Sequence, residues 1–232
     1  MLRFAALFFL LHTLIMFVPQ DFGFVFAKVQ TGNKTGNIKI LTDWLMYWLK
    51  FKHASKERGS VIFDIDDTLI NEKQEPIIEM RNVYKLCQNL GFIINIITAR
   101  PESFENRKAT EAMLLKNGFT HFEALYMMPS ELNISYKTIS MYKYNARVDI
   151  SKRHTIIANC GDMWTDHAKH LSVKALNKRD AEESAICFLP GQGFPCIKLP
   201  AASVSLRSVS KDNAIKKDGN GQRKYAFHGT QR

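Results

Sequence analysis

The segment from residue 60 to residue 71 constrains the fold of this chain more than any other stretch. Its sequence is SVIFDIDDTLIN. The uninterrupted apolar run at 61–63 is typical of a β-strand that is covered on both faces. Asp64, Asp66 and Asp67 follow directly. Like charges this close together are costly to bury unless a cation lies among them. The segment therefore predicts a central strand whose carboxyl end holds a divalent cation.

Strand and helix patterns alternate through the rest of the chain, which predicts an α/β fold with a parallel sheet and helices on both faces. The predicted strands are 61–63, 92–97, 122–128, 155–159 and 186–189. The predicted helices are 38–54, 76–91, 101–116 and 140–152. A chain of 232 residues can bury one good core and is too short for two large domains.

The charge of the chain favours anionic partners. The formal net charge is +10 and the pI is about 9.4, values that suit phosphorylated small molecules, nucleic acid or an acidic membrane surface. Part of the excess lies in residues 201–232, a basic and weakly apolar stretch. Its composition predicts a disordered tail, for which a solubilising role is favoured over nucleic-acid binding.

The N-terminus has the pattern of a secretory signal peptide. A short charged start precedes an apolar run at 4–18, and the small-residue site Val25-Phe26-Ala27 predicts cleavage after Ala27. The alternative is an uncleaved signal anchor lengthened by residues 22–27, which would attach the protein to a membrane. Residues 28–37 are predicted to be a linker and 38–200 the folded domain. Sequons at Asn33 and Asn133 predict a glycoprotein only if the chain enters a eukaryotic-type secretory route, as the signal pattern favours.

Four cysteines are present. Cys187 and Cys196 bracket a loop rich in proline and glycine, and a disulfide between them in an oxidising compartment is one hypothesis. Cys87 and Cys160 are interpreted as small buried hydrophobic residues. No cysteine spacing matches a zinc site.

Polar side chains follow three of the predicted strands. Asp64, Thr98 and Asp162 each stand at a strand's carboxyl end, where parallel α/β sheets bind ligands. Lys143 stands near the start of a helix and is expected to point into the same crevice. Carboxylates, a hydroxyl and an ammonium group in one crevice can provide the nucleophile, the proton donor, the metal ligands and the phosphate-binding groups that phosphoryl transfer requires.

The motifs carry a resemblance to a known family. The segment 64–69, DIDDTL, resembles the DxDxT signature of the haloacid dehalogenase (HAD) superfamily of phosphohydrolases, and 97–102, ITARPE, resembles that superfamily's second motif. Lys143 with Arg147, followed by 156–166, IIANCGDMWTD, is similar to the third and fourth motifs of the plant-type and class B acid phosphatases. Four motifs in order make a specific signal.

The resemblance implies catalytic and metal-binding roles for four aspartates. Asp64 would attack phosphorus to form an aspartyl-phosphate. Asp66 would act as general acid and then general base, and its main-chain carbonyl would help to bind Mg²⁺. Asp64 and Asp162 would be Mg²⁺ ligands through their side chains, and Asp166 would be a further ligand or an outer-shell partner.

The resemblance also implies phosphate-binding roles for Thr98 and Lys143. Arg100 has two open interpretations, which are binding of substrate phosphate and an ion pair that orients Asp66 or a helix terminus. Asp67 is interpreted as a turn cap, and Trp164 as a packing residue.

The motif spacing leaves no room for a large cap domain, so an open crevice is expected. An open crevice suits either a broadly tolerant monoester phosphatase or an enzyme that acts on a macromolecular end. The resemblance implies a Mg²⁺-dependent phosphomonoesterase of the acid phosphatase type, which would enter the secretory pathway. Two alternatives are a polynucleotide 3′-phosphatase and a non-catalytic storage or binding protein on the same scaffold.

Overall fold

The computed structural model describes residues 25–167, 183–189 and 192–201. Within these ranges the strands are β1 (Val25–Lys28), β2 (Ser60–Phe63), β3 (Ile93–Glu102), β4 (Ala124–Pro129), β5 (Ile156–Gly161), β6 (Ala185–Phe188) and β7 (Pro195–Lys198). The helices are α1 (Lys34–Ala54), α2 (Ile78–Asn89), α3 (Phe104–Lys116), α4 (Tyr136–Ser151) and a short 3₁₀ turn at Trp164–Asp166.

The strands form one sheet in the order β1-β6-β7-β5-β2-β3-β4. The run from β7 to β4 is parallel throughout, so the predicted α/β fold is confirmed. One edge of the sheet adds an antiparallel part that the prediction did not include, because β6 pairs antiparallel with both β7 and β1. The connection from β6 to β7 is too short for the crossover of a dozen or more residues that a parallel pair needs.

Helices cover both faces of the sheet, as predicted. Successive residues of a strand point to opposite faces, and Ile62 lies in a different apolar cluster from Val61 and Phe63. The larger cluster joins the sheet to α1, α2 and α3, and the smaller one joins it to α4. The β2–β3 and β3–β4 connections each contain one helix, so no large cap domain is inserted there.

The first helix begins earlier than its apolar pattern predicts. It starts at Lys34 instead of residue 38, because Asn33 acts as its N-cap and its Oδ1 accepts from the Gly36 amide at 2.6 Å. The predicted linker 28–37 is therefore wrong in its last four residues, which are helical, and at Lys28, which ends β1.

Caps also correct the starts of α3 and α4. Ser103 caps α3 by accepting from the Asn106 amide at 3.1 Å, so residues 101–102 belong to β3 rather than to the helix. Ser135 caps α4 in the same way, at 3.1 Å from the Thr138 amide, and α4 begins four residues before the predicted start at 140. Polar caps, which an apolar pattern does not show, determine these starts, so the pattern alone places α3 three residues too early and α4 four residues too late.

The predicted signal-peptide boundary falls inside β1. This strand forms the edge of the sheet, with Val25 opposite Phe188 and Lys28 opposite Ala185. Cleavage after Ala27 would leave only Lys28 of the strand, and the cleavage itself stays a prediction. Most of the proposed signal segment and all but the first residue of the predicted tail 201–232 lie outside the described residues. No helix in the described ranges combines the length and apolar character that crossing a bilayer requires.

The two strands that carry Asp64 and Thr98 are joined by a buried polar pair. Asn95 Nδ2 on β3 donates to Ser60 Oγ on β2 at 2.9 Å, and both residues are fully buried. Removing one partner leaves a buried donor unsatisfied, whereas replacing both removes the need for a bond.

We expect Ser60→Ala to lower the free energy of unfolding by about 1–3 kcal/mol. The double variant Ser60→Ala/Asn95→Val should recover much of that loss, because it leaves no unpaired amide. Urea unfolding of the two variants and the parent protein measures both effects. The explanation would be contradicted if the double variant were less stable than Ser60→Ala by the full loss that Asn95→Val alone causes.

Candidate active site

Adjacent strands bring the candidate carboxylates together. The register pairs Phe63 of β2 with Cys160 of β5, so Asp64 and Asp162 follow neighbouring strands at the same edge of the sheet. The 3₁₀ turn after β5 returns Asp166 to this edge. One ligand oxygen from each of the three aspartates lies within 4.8 Å of the others, and all three side chains are buried. The sequence-predicted convergence of these aspartates is therefore present.

Lys143 supplies positive charge to this cluster from α4. Its Nζ lies 2.8 Å from Asp64 Oδ1 and 2.5 Å from Asp166 Oδ1. The lysine is only 4% exposed. Two carboxylates hold it in the crevice, where the sequence analysis expects it.

Burial and charge act differently on the four groups. Burial raises the pKa of Asp64 to about 7, although the charge of Lys143 opposes this shift. Burial also raises the pKa of Asp162 well above its usual range, and the charges of Asp166 and Asp64 add to the shift. Burial alone would raise the pKa of Asp166, but the charges of Lys143 and His167, together with hydrogen bonds from Lys143 and the Met163 amide, lower that pKa. Burial would lower the pKa of Lys143, but the carboxylates of Asp166 and Asp64 raise it. The charges of Lys198 and Lys143 act on Asp162 without preventing the rise of its pKa, so the described lysines supply too little positive charge for three buried carboxylates.

The side chain of Asp166 is held by its own turn. Its Oδ2 accepts from the Met163 amide at 2.8 Å, while its Oδ1 faces Lys143. The carboxylate lies directly over Gly161, where an added Cβ would stand 2.3 Å from Asp166 Oδ2. Glycine is therefore required at this position by close packing.

Arg147 and Asn159, which had no predicted role, donate hydrogen bonds to the backbone of the same turn. Arg147 on α4 donates to the carbonyl oxygens of Asp166 and His167, the latter at 3.1 Å. Asn159 Nδ2 donates to the same Asp166 carbonyl at 2.8 Å. Arg147 is 3% exposed. The spacing of Lys143 and Arg147, one helical turn apart, was the available signal that both face the site.

Asp66 lies at the exposed side of the crevice. Its carboxylate accepts two hydrogen bonds from Arg100, from Nη2 to Oδ1 at 2.6 Å and from Nε to Oδ2 at 3.0 Å. The side chain of Asp66 is 61% exposed and that of Arg100 is 26% exposed. Of the two interpretations of Arg100, the structure shows the ion pair that orients Asp66.

The threonines and Asp67 complete the description of the predicted site. Thr98 is fully buried on β3, and its Oγ1 accepts from the Arg100 amide at 3.2 Å, which leaves its own proton for another acceptor. The hydroxyl of Thr68 is buried and has no hydrogen-bond partner among the described residues.

Asp67 has a left-handed φ of 54° and its amide donates to Ile70 O at 2.8 Å, as expected for a turn residue. Trp164 packs edge-on against His167, in agreement with its interpretation as a packing residue.

The carboxylate cluster fits a hard divalent cation. Three converging carboxylates offer the oxygen ligands that Mg²⁺ prefers. Asp64 and Asp162 both have raised pKa values, which is the condition in which an added cation would favour ionisation most. Both oxygens of Asp166 already accept hydrogen bonds within the protein, which favours its role as an outer-shell partner. The contribution of the Asp66 carbonyl stays a prediction.

We expect the metal-free protein to lose stability as the pH rises from 5 to 7.5. In the unfolded chain the carboxyl groups ionise near pH 4, whereas Asp64 holds its proton up to about 7 in the folded chain. The unfolded state therefore binds fewer protons in this interval, and its population increases with pH. Magnesium would replace these protons, so the difference in Tm with and without Mg²⁺ should be small at pH 5 and roughly 5–10 °C at pH 7.5.

Calorimetry in chelator and in excess Mg²⁺ measures this difference. Asp162→Asn should remove most of the Mg²⁺ effect, whereas Asp149→Asn, on the exposed surface of α4, should retain it. A metal-free Tm that rises between pH 5 and 7.5 would contradict the assignment.

Comparison with known proteins also indicates a phosphatase. The family model described as "HAD superfamily, subfamily IIIB (Acid phosphatase)" matches residues 70–190, just over half of the chain. This range includes Thr98, Lys143, Asp162 and Asp166 and begins after Asp64. No curated protein matches the chain significantly.

Among solved structures, the chain is similar to the class C acid phosphatase from Bacillus anthracis with tungstate bound. The identity is 16%, the match covers 82% of this chain and 88% of that chain, and the TM-score is 0.48. The family assignment depends on the family model and agrees with the motifs and the converging aspartates. This chain belongs to the HAD superfamily, subfamily IIIB, the acid phosphatase family of phosphomonoester hydrolases.

Proposed function

We propose that this phosphatase is Mg²⁺-dependent and acts through an aspartyl-phosphate on Asp64. The observation that supports this most directly is the convergence of Asp64, Asp162 and Asp166, with the ammonium group of Lys143 in contact with Asp64 and Asp166. Asp64 and Asp162 would hold the cation, with Asp166 beside them. The cation, when bound, would lower the repulsion between Asp64 and an incoming anionic phosphoryl group.

In the first step an oxygen of Asp64 attacks phosphorus and the bond from phosphorus to the leaving oxygen breaks. Asp66, in its protonated form, gives its proton to that leaving oxygen. Lys143 and Thr98 donate to the phosphoryl oxygens, where negative charge is held during transfer. The products are the free alcohol and the phosphorylated side chain of Asp64.

In the second step Asp66, now a carboxylate, accepts a proton from water as the water oxygen attacks phosphorus. The bond between phosphorus and Asp64 breaks, and inorganic phosphate is released. Arg100 holds the Asp66 carboxylate through two hydrogen bonds, so the same orientation serves both proton transfers. The exposure of Asp66 fits this role, because the group must contact both an alcohol and a water molecule.

The absence of a large cap at the β2–β3 and β3–β4 connections favours a phosphatase that tolerates varied leaving groups. Phosphorylated small molecules are the substrate class that the family supports. The alternative of a polynucleotide 3′-phosphatase predicts faster hydrolysis of a 3′-phosphorylated oligonucleotide than of a mononucleotide, with strong salt dependence. The two rates, measured side by side, decide between these substrate classes.

We expect Asp64→Asn to lower kcat for a generic aryl phosphate by about 10⁴-fold or more, because it removes the nucleophile. Chelation of Mg²⁺ should abolish phosphate release from the parent protein, and added Mg²⁺ should restore it. Asp43→Asn, a matched change on α1, should leave the rate unchanged. Mass spectrometry of acid-quenched protein should find the phosphoryl group on the peptide containing Asp64. Full activity in Asp64→Asn would exclude the proposed mechanism.

We expect Arg147→Met to raise the Mg²⁺ concentration needed for half-maximal activity by about 10–100-fold, because outer-shell partners tune metal affinity to this extent. Arg147→Lys should rescue only part of the effect, since one ammonium group cannot donate to both carbonyls as the guanidinium does. KM for substrate at saturating Mg²⁺ should change little.

Direct titration of Mn²⁺, followed by electron paramagnetic resonance, should show the same loss of affinity without any dependence on turnover. Arg153→Met, which removes a partly exposed ion pair with Glu123, is the matched control. Equal Mn²⁺ affinity in Arg147→Met and the parent protein would mean that Arg147 does not position the metal-binding turn.

A further inference from the structure

Cys187 and Cys196 lie directly opposite one another in the antiparallel pair of β6 and β7. Both side chains are fully buried and belong to the same apolar cluster, on the α4 face of the sheet. Cys187 Sγ lies 3.6 Å from the carbonyl oxygen of Cys196. The two thiols, both free in this structure, therefore face each other across the hairpin.

This arrangement has the dimensions of a disulfide. Opposite Cα atoms in an antiparallel pair are about 4.5–5.5 Å apart, and disulfides join Cα atoms about 4.4–6.8 Å apart. A bond between the two sulfurs would therefore need rotation of the side chains and no separation of the strands. We propose that Cys187 and Cys196 are a specific disulfide site, which closes when the chain folds in the presence of a small-molecule or protein disulfide oxidant.

The other two cysteines are excluded as partners by the sheet itself. Asn159 is the residue of β5 that lies opposite Cys196. Cys160, the next residue along β5, points to the other face and belongs to the larger apolar cluster together with Cys87. A bond from Cys196 to either of them would have to pass through the sheet.

The bond forms by two thiol–disulfide exchanges. The thiolate of one cysteine attacks one sulfur of the oxidant, forms a mixed disulfide and expels the first thiolate of the oxidant. The other cysteine loses its proton, attacks the sulfur of the first and expels the second thiolate. In total, two protons and two electrons pass from the protein to the oxidant.

Burial determines when the exchange takes place. In the folded protein both sulfurs are inaccessible, so the oxidant reaches them only before α4 covers the hairpin. The closed bond would then constrain a hairpin that borders the active site. Cys196 Sγ donates to Gln192 Oε1 at 3.5 Å, and Gln192 Nε2 donates to the carbonyl of His167 at 3.2 Å. None of the groups proposed for catalysis belongs to this pair, so the bond should alter stability rather than chemistry.

The test is refolding of the fully reduced chain in a mixture of reduced and oxidised glutathione, followed by alkylation, proteolysis and mass spectrometry. The expected result is a peptide pair joined by Cys187 and Cys196, with Cys87 and Cys160 alkylated. The oxidised protein should have a Tm about 5–10 °C above that of protein refolded with reductant alone, as closure of a loop of this length predicts.

Cys187→Ser should abolish both the linked peptide and the dependence of Tm on oxidant, whereas Cys87→Ser should retain both. If Cys187→Ser does not fold, the peptide map of the parent protein, refolded with and without oxidant, decides alone. Alkylation of both Cys187 and Cys196 after oxidative refolding would overturn the proposal, and so would a bond to Cys160 or Cys87. None of these measurements depends on phosphatase activity, so they remain decisive if the proposed function fails.

Discussion

The rest of the site depends on the contact between one buried ammonium group and two buried carboxylates. Lys143 Nζ lies within 2.8 Å of oxygens on both Asp64 and Asp166, in a place where water does not screen the charges. Without the lysine, each buried carboxylate would keep an uncompensated desolvation cost of several kcal/mol, and the carboxylates would also repel one another. With it, the pKa of Asp162 remains raised, so the cluster still lacks positive charge there. This deficit of positive charge fits the binding of a cation.

Two residues of α4 support that contact in different ways. Lys143 neutralises side chains, and Arg147, one turn later, holds the main chain of the turn that presents Asp166. The sheet fixes the other half of the geometry, because β2 and β5 are neighbours and end at the same edge. Gly161 then lets Asp166 pack onto the end of β5, where a methyl group would collide with its carboxylate. Substitution of Arg147 or Gly161 should therefore lower the affinity for a metal ion, although neither residue would contact the metal.

The sequence predicted those parts of the site that depend on strand order and strand ends. Asp64, Thr98 and Asp162 were identifiable because parallel strands place their carboxyl ends at one edge. The edge formed by β1, β6 and β7 was not predicted as such, because strand direction there is set by a short connection and by pairing between distant segments. The partner of Arg100 was equally undetermined, because a guanidinium suits a phosphate and a carboxylate alike. Helix starts were misplaced wherever a polar cap, such as Asn33, preceded the first apolar residue.

The two carboxylates of the DxD segment have opposite environments, and this difference fits the two chemical roles proposed for them. Asp64 is buried against Lys143, whereas Asp66 is largely exposed and held by Arg100. A nucleophile gains from exclusion of water, because hydration would stabilise its ground state. A general acid and base needs access to an alcohol in one step and to water in the next. Because β2 ends at Phe63, the chain turns between Asp64 and Asp66, and this turn separates the buried carboxylate of Asp64 from the exposed one of Asp66.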